Sequence, residues 1–180
     1  KQLGDLESEL RSCARTRAMK LVIFRPTLVY GCGLDTNISR LANWVRRFGF
    51  LPVNGQAPGL RQPVHADDLA AVAIRALLSE RELPAVLNVA GGETLSYAEM
   101  AHRIFLAVGK PVRLLRLPER LFVLVVKVVG LLRSDGVLNA EMVRRQAVDL
   151  VFDDHQAREL LSYDPRPFNL TRSDFSLPDL

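Results

Sequence analysis

Lys20-Leu21-Val22-Ile23-Phe24-Arg25-Pro26-Thr27-Leu28-Val29-Tyr30-Gly31 decides the fold class of this 180-residue chain. Its four consecutive large apolar residues, Leu21 to Phe24, follow a helical pattern and precede a loop that carries proline and glycine. An apolar run so bounded predicts a strand buried on both faces, between parallel neighbours. In open α/β sheets, ligands bind outside the carboxyl ends of such strands. At that end Pro26 removes a backbone donor and fixes the chain direction, while Gly31 and Gly33 permit turns that other residues resist. The plainer alternative is a core strand with an ordinary exit loop.

Upstream, Leu3, Leu6, Leu10, Cys13 and Ala14 recur at three- and four-residue intervals, which predicts a helix with one apolar face. Downstream, Thr36 or Asn37 can cap a helix that places Ile38, Leu41, Ala42, Val45 and Phe48 on one face, with Trp44 nearer its flank. Asp67 or Asp68 precedes the pattern Leu69, Val72, Ala73, Ala76 and Leu77, so a carboxylate is expected to cap that helix, with His65 a packed or hydrogen-bonded structural residue. Residues 85–89 read as a second buried strand ending at Gly91 and Gly92. Ser96 and Glu99 form a capping-box pattern opening a helix that buries Met100, Ala101, Ile104, Phe105 and Val108 and stops at Gly109. Residues 112–117 suggest another strand, and Asp153 or Asp154 caps a helix through Leu160. The polar tail after Phe168 is expected to be loosely held. The apolar run over residues 121–132 is broken by Lys127 and falls short of the roughly 20 residues a membrane span needs, so a packing helix is expected. A short helix from Asn139 to about Arg145 should follow it.

Composition narrows the function. With 48% hydrophobic and 24% charged residues the chain reads as an ordinary globular protein with a sizeable core. Its 24 basic and 20 acidic residues give a net charge of +4, with the arginines spread among acids along helical stretches. Arg46-Arg47 and Arg144-Arg145 are pairs too short for the basic stripe that nucleic-acid binding requires. His65, Asp67 and Asp68 lack metal-ligand spacing, no metal is expected, and no Ser/His/Asp arrangement appears. Cys13 and Cys32 suggest neither a disulfide framework nor a metal site, and no secretory leader is seen, so a reducing, cytoplasmic setting is expected.

Arg25-Pro26-Thr27-Leu28-Val29-Tyr30-Gly31, followed by Arg61-Gln62-Pro63-Val64-His65-Ala66-Asp67-Asp68-Leu69-Ala70 and then Asn88-Val89-Ala90-Gly91-Gly92, resembles the carboxyl-terminal half of the extended short-chain dehydrogenases/reductases, the NAD-dependent epimerase/dehydratase family. The order and spacing of the three motifs carry the likeness, which weakens after about residue 118. It implies an α/β fold: the C-terminal part of a Rossmann-type parallel sheet with a small mixed α/β substrate-binding lobe. Residues 1–33 would complete the dinucleotide-binding domain and residues 34–180 form the lobe, with 85–92 returning to the sheet.

The resemblance further implies NAD or NADP as cofactor and a nucleotide-sugar or other small hydroxylated substrate. Lys1 resembles the lysine of a Tyr-x-x-x-Lys pair, whose ammonium holds the nicotinamide ribose and lowers the phenol's pKa; the other reading of Lys1 is a frayed terminal residue. Pro26 and Thr27 would pack beside the nicotinamide, and Leu28 and Arg61 would face substrate. Arg61 suits a diphosphate because its planar fork is permanently charged, although a structural ion pair is the competing role. Many sugar-nucleotide members carry an Asn where Leu28 stands, and leucine offers packing but no hydrogen bond. That departure keeps a second account open, a non-catalytic dinucleotide-binding scaffold or accessory subunit. The Gly-rich pyrophosphate loop is not among these residues. Homo-oligomers are expected by fold analogy alone.

Overall fold

The structure, a computed structural model, describes residues 2–124 and 146–175. Helix α1 (Gln2–Thr16) leads into β1 (Ile23–Pro26) and β2 (Val29–Tyr30). Next come α2 (Ile38–Phe48), β3 (Leu51–Asn54), β4 (Leu60–Arg61), β5 (Val64–His65) and α3 (Ala66–Leu78). Strands β6 (Val86–Val89) and β7 (Leu95–Ser96), helix α4 (Tyr97–Ala107) and strand β8 (Leu114–Leu117) follow. Helix α5 (His155–Leu161) and a 3-10 turn (Arg172–Phe175) end the described chain. The expected helix near Asn139 and most of the apolar run over 121–132 lie outside the described residues.

The parallel pairing expected of the opening stretch is present. β1 runs parallel to β6 with Phe24 opposite Leu87 and Pro26 opposite Val89, and β2 runs parallel to β5. β3 and β8 form another parallel pair, and β4 and β7 an antiparallel one. The expected burial of β1 on both faces is corrected. Ile23 and Phe24 are half-buried and Arg25 and Pro26 exposed, because among the described residues β6 is the strand's only partner.

Among the described residues two apolar cores form. Tyr30, α2, β3, α4 and Phe168 enclose the first, while Val64 of β5, Val72 of α3, Leu87 and Val89 of β6, Ala157 and Leu161 of α5 and Tyr163 enclose the second. Met100, Ala101, Ile104 and Phe105 are buried as their periodicity predicts, and Gly109 takes a positive φ of 71° after the helix ends. Trp44, expected at a flank, is buried because its indole donates to the Phe50 carbonyl at 2.9 Å, whereas Phe48 is partly exposed.

Several local expectations yield to longer-range partners. Asp35, not Thr36 or Asn37, caps α2, its carboxylate accepting from the amides of Asn37 and Ser39 at 2.9 and 3.0 Å. His65 caps α3, its Nδ1 accepting from the Asp67 amide at 3.1 Å. Asp68 is thereby released to bind the Arg166 guanidinium, Nη2 lying 2.8 Å from Oδ1. On α3 only Val72 is buried, and Leu77 is 85% exposed. On α1 the apolar stripe points outward, with Leu6, Leu10 and Cys13 exposed. The inward side carries Glu7, whose carboxylate accepts from Arg25 of β1 at 3.0 and 2.6 Å.

Arg103 of α4 ties the lobe together. It donates to both carboxylate oxygens of Glu93 at 2.7 Å, to Glu99 at 2.9 Å and to the Phe168 carbonyl at 2.9 Å. The Arg103 hydrogen bonds hold the Glu93 carboxyl below its ordinary value of 4.5. A carboxyl depressed by folding contributes stability above its unfolded pKa, and that stability is lost as pH falls through the folded value. The melting temperature is therefore expected to drop as pH falls below 4.5, and Glu93→Gln to flatten that drop in thermal scans across the acid range.

Candidate functional site

The carboxyl ends of β1 and β6 converge on one backbone oxygen. The Thr27 amide donates to the Val89 carbonyl at 3.0 Å, extending the ladder one residue past Pro26. The Thr27 hydroxyl then donates to the Gln62 carbonyl, which also accepts from the Gly91 amide at 3.3 Å. A Cβ on Gly91 would lie 1.8 Å from the Pro63 carbonyl oxygen, so only glycine admits so close an approach. Gln62 Oε1 in turn accepts from the Phe152 amide at 2.8 Å. Three motifs distant in sequence thus meet at one sheet edge, where α/β folds place ligands.

Pro26 stands exposed at this edge, and Thr27 and Leu28 are half-buried, Leu28 packing against the first core. Arg61 lies in the segment adjoining Gln62, but its side chain turns into the lobe and is 4% exposed. Its Nη1 donates to the carbonyls of Leu60 and Val148 at 2.7 and 2.8 Å, and its guanidinium carbon lies 5.7 Å from the Tyr97 ring centroid. Beside it the wholly buried Gln146 accepts from the Asn54 amide at 2.8 Å. Lys1 lies outside the described residues.

All three tyrosines of the chain are buried. Burial pushes the Tyr30 phenol up to about 12 and drives those of Tyr97 and Tyr163 higher still. Tyr163 spends its hydroxyl on the Ala90 carbonyl at 2.8 Å. Each is neutral near pH 7, so none is set up as a phenolate that could exchange a proton with a substrate hydroxyl. A general base of that kind has to come from outside these three residues.

Among the described residues no group of three His, Cys, Asp or Glu could hold a metal ion, and no helix is long and apolar enough to cross a membrane. Both cysteines are free. An open cleft lined by Arg25, Val86, Asn88, Asp153, Asp154 and Gln156 lies on the face of the β1–β6 pair opposite Leu87 and Val89. Arg25 is committed there to Glu7 and Asp154 to Arg158, while Asp153 Oδ1 accepts from the His155 amide at 2.9 Å.

Residue type marks Pro26, Thr27 and Arg61 as candidates but gives no sign of the shared carbonyl of Gln62. A backbone acceptor leaves no mark on residue type. The adjacent glycines at 91 and 92 were the available signal, since a glycine after a buried strand often marks a close backbone approach.

No protein-family model matches the chain. A UDP-glucose 4-epimerase of Vibrio cholerae is 28% identical over 105 residues, which are 58% of this chain and 32% of that protein. The solved UDP-glucose 4-epimerase of Thermotoga maritima with UDP-glucose superposes with a TM-score of 0.66 at 17% identity, over 97% of this chain and 49% of that one. The UDP-glucuronic acid 4-epimerase of Bacillus cereus, in complex with UDP-glucuronic acid and NAD, gives 0.61 at 20% identity, over 89% and 44%. The chain spans a third to a half of the length of these proteins.

Proposed function

We infer that this chain, which has the fold of the carboxyl-terminal half of the extended short-chain dehydrogenases/reductases, is the substrate side of an NAD(P)-dependent epimerase, dehydratase or reductase acting on a nucleotide sugar or other small hydroxylated substrate. The convergence of Thr27, Gln62 and Gly91 at the carboxyl ends of β1 and β6 carries the reading. In it Lys1 orients the nicotinamide ribose, Pro26 and Thr27 pack beside the nicotinamide, and Leu28 and Arg61 belong to the substrate side, Arg61 through the lobe that its buried guanidinium holds together. Residues 1–33 belong to the dinucleotide-binding domain and 34–180 to the lobe, and the pairing of β1 with β6 supports the return of 85–92 to that sheet. The buried phenols fit a reaction whose acid/base group is none of these three tyrosines. A cytoplasmic setting accords with two free cysteines, and homo-oligomerisation rests on fold analogy.

A second reading, a non-catalytic dinucleotide-binding scaffold or accessory subunit, is favoured by one observation. The Arg61 guanidinium binds backbone carbonyls of its own chain. Both readings leave the pyrophosphate cradle to polypeptide outside these residues, so the 180-residue chain is expected to bind NAD weakly or not at all. Calorimetric titration with NAD checks this, and micromolar binding by these residues alone would refute it.

A further inference from the structure

Residues 169–175, the described part of the tail expected to be loosely held, are instead fastened, and Asp174 has all three oxygens engaged. Oδ1 lies 3.1 Å from His65 Nε2. Oδ2 accepts from the Thr171 amide at 2.6 Å and from the Thr171 hydroxyl at 2.8 Å. Its backbone carbonyl accepts from the Gly33 amide at 2.9 Å. Because His65 Nδ1 accepts from the Asp67 amide, the ring proton of the neutral imidazole sits on Nε2 and is donated to Asp174. His65 and Asp174 side chains are 7% and 12% exposed, so the contact is shielded from water.

The loop so reached leaves the candidate ligand edge directly. Gly31, Cys32 and Gly33 have φ of 110°, 59° and 65°, three successive residues in the left-handed half of the map, where a residue other than glycine is strained. A conformation of that kind persists when its surroundings hold it. His65 supplies one wall, since a Cβ on Gly31 would come within 2.7 Å of Nε2, and its ring meets Tyr30 edge-on at 5.1 Å between centroids. Asp174 supplies the tie. Phe175, beneath the Arg46 guanidinium at 5.0 Å, anchors the turn to α2, the helix the loop runs into.

We propose that Asp174 is a positioning residue: through His65 and the Gly33 amide, the carboxyl-terminal turn sets the conformation of the loop over residues 31–37 beside the ligand edge. The geometry of the clip needs no ligand, and only its consequence for substrate rests on the functional reading above. Two variants separate its parts. Asp174→Ala removes the carboxylate from His65 and Thr171. His65→Asn keeps a good cap for the Asp67 amide while its shorter side chain no longer reaches Asp174.

Hydrogen–deuterium exchange on the full 180-residue chain provides the test. In Asp174→Ala, amides over residues 28–37 are expected to exchange about tenfold faster while α4 keeps its wild-type rate. His65→Asn should loosen the same segment by less, because the Asp174 carboxylate keeps its bonds to the Thr171 amide and hydroxyl, which hold the turn, and these are lost in Asp174→Ala. Unchanged exchange over 28–37 in both variants would overturn the proposal, as would an equal increase in α4, which signals general destabilisation. Titration with UDP-glucose keeps the two readings apart. A wild-type chain that binds and an Asp174→Ala chain that binds about tenfold more weakly extends the clip's role to substrate seating. A wild-type chain that does not bind counts against the functional reading, with the clip already decided by exchange.

Discussion

Replacing Gly91 with alanine is expected to destabilise the chain by about 3 kcal/mol or more, at the upper end of overpacking effects. The added methyl would sit 1.8 Å from the Pro63 carbonyl oxygen and 2.5 Å from its carbon, and both are backbone atoms that no rotamer change can move aside. Relief requires the end of β6 to withdraw from the segment over residues 62–64. That withdrawal breaks the Gly91–Gln62 bond and disturbs the carbonyl that also receives the Thr27 hydroxyl. Urea denaturation measures the effect as a lowered midpoint. Gly4→Ala supplies the control: nothing lies within 4 Å of the new methyl, and within α1 alanine should gain about 1 kcal/mol over glycine.

Truncating Arg61 to alanine is expected to cost about 2–3 kcal/mol, through lost packing and the loss of its bond to the Val148 carbonyl, while the Leu60 carbonyl keeps the Leu150 amide. The residue is 4% exposed, and Leu60 and Val148 both lose the Nη1 bond. The same neighbourhood stitches residues 146–152 to β4 by other bonds, from the Leu60 amide to Asp149 and from the Leu150 amide to the Leu60 carbonyl, so the segment should loosen without detaching. Lysine should recover little, because a point ammonium does not reproduce a planar fork stacked near the Tyr97 ring. Chemical denaturation reads the stability term. A UDP-glucose affinity that falls in Arg61→Ala as well would support the substrate-facing role alongside the structural one.

What was legible in the sequence was whatever rests on local pattern. The apolar run Leu21 to Phe24 with Pro26 behind it, and residues 85–89 with Gly91 behind them, announced two strands that prove to be parallel partners. Ser96 and the periodicity of Met100, Ile104 and Phe105 likewise announced α4, and the Ser96 hydroxyl accepts from the Glu99 amide at 3.1 Å as the capping pattern predicts. The half of that box in which Glu99 turns back does not form, because Arg103 takes its carboxylate.

What was illegible rests on partners far along the chain. Asp68 looked like a cap until Arg166, 98 residues away, claimed it. His65 and Asp174 are separated by 109 residues, and nothing near either one marks the other. The outward apolar face of α1 has a related cause. Apolar spacing identifies a stripe but not what it packs against, and here Glu7 faces the strand instead. Arg61 was found by motif, yet its charge and shape suit a phosphate and a pair of backbone carbonyls equally, so sequence left both roles open.

Hydrogen–deuterium exchange of the 180-residue chain with and without UDP-glucose tests most directly whether the carboxyl edge of β1 and β6 is the substrate edge. The account predicts slowed exchange over residues 26–33 and 60–64, the segments joined by the Thr27 hydroxyl, with α5 and the outer face of α3 unaffected. Slowed exchange confined to the cleft between Arg25, Asn88 and Asp153 on the opposite face would contradict it.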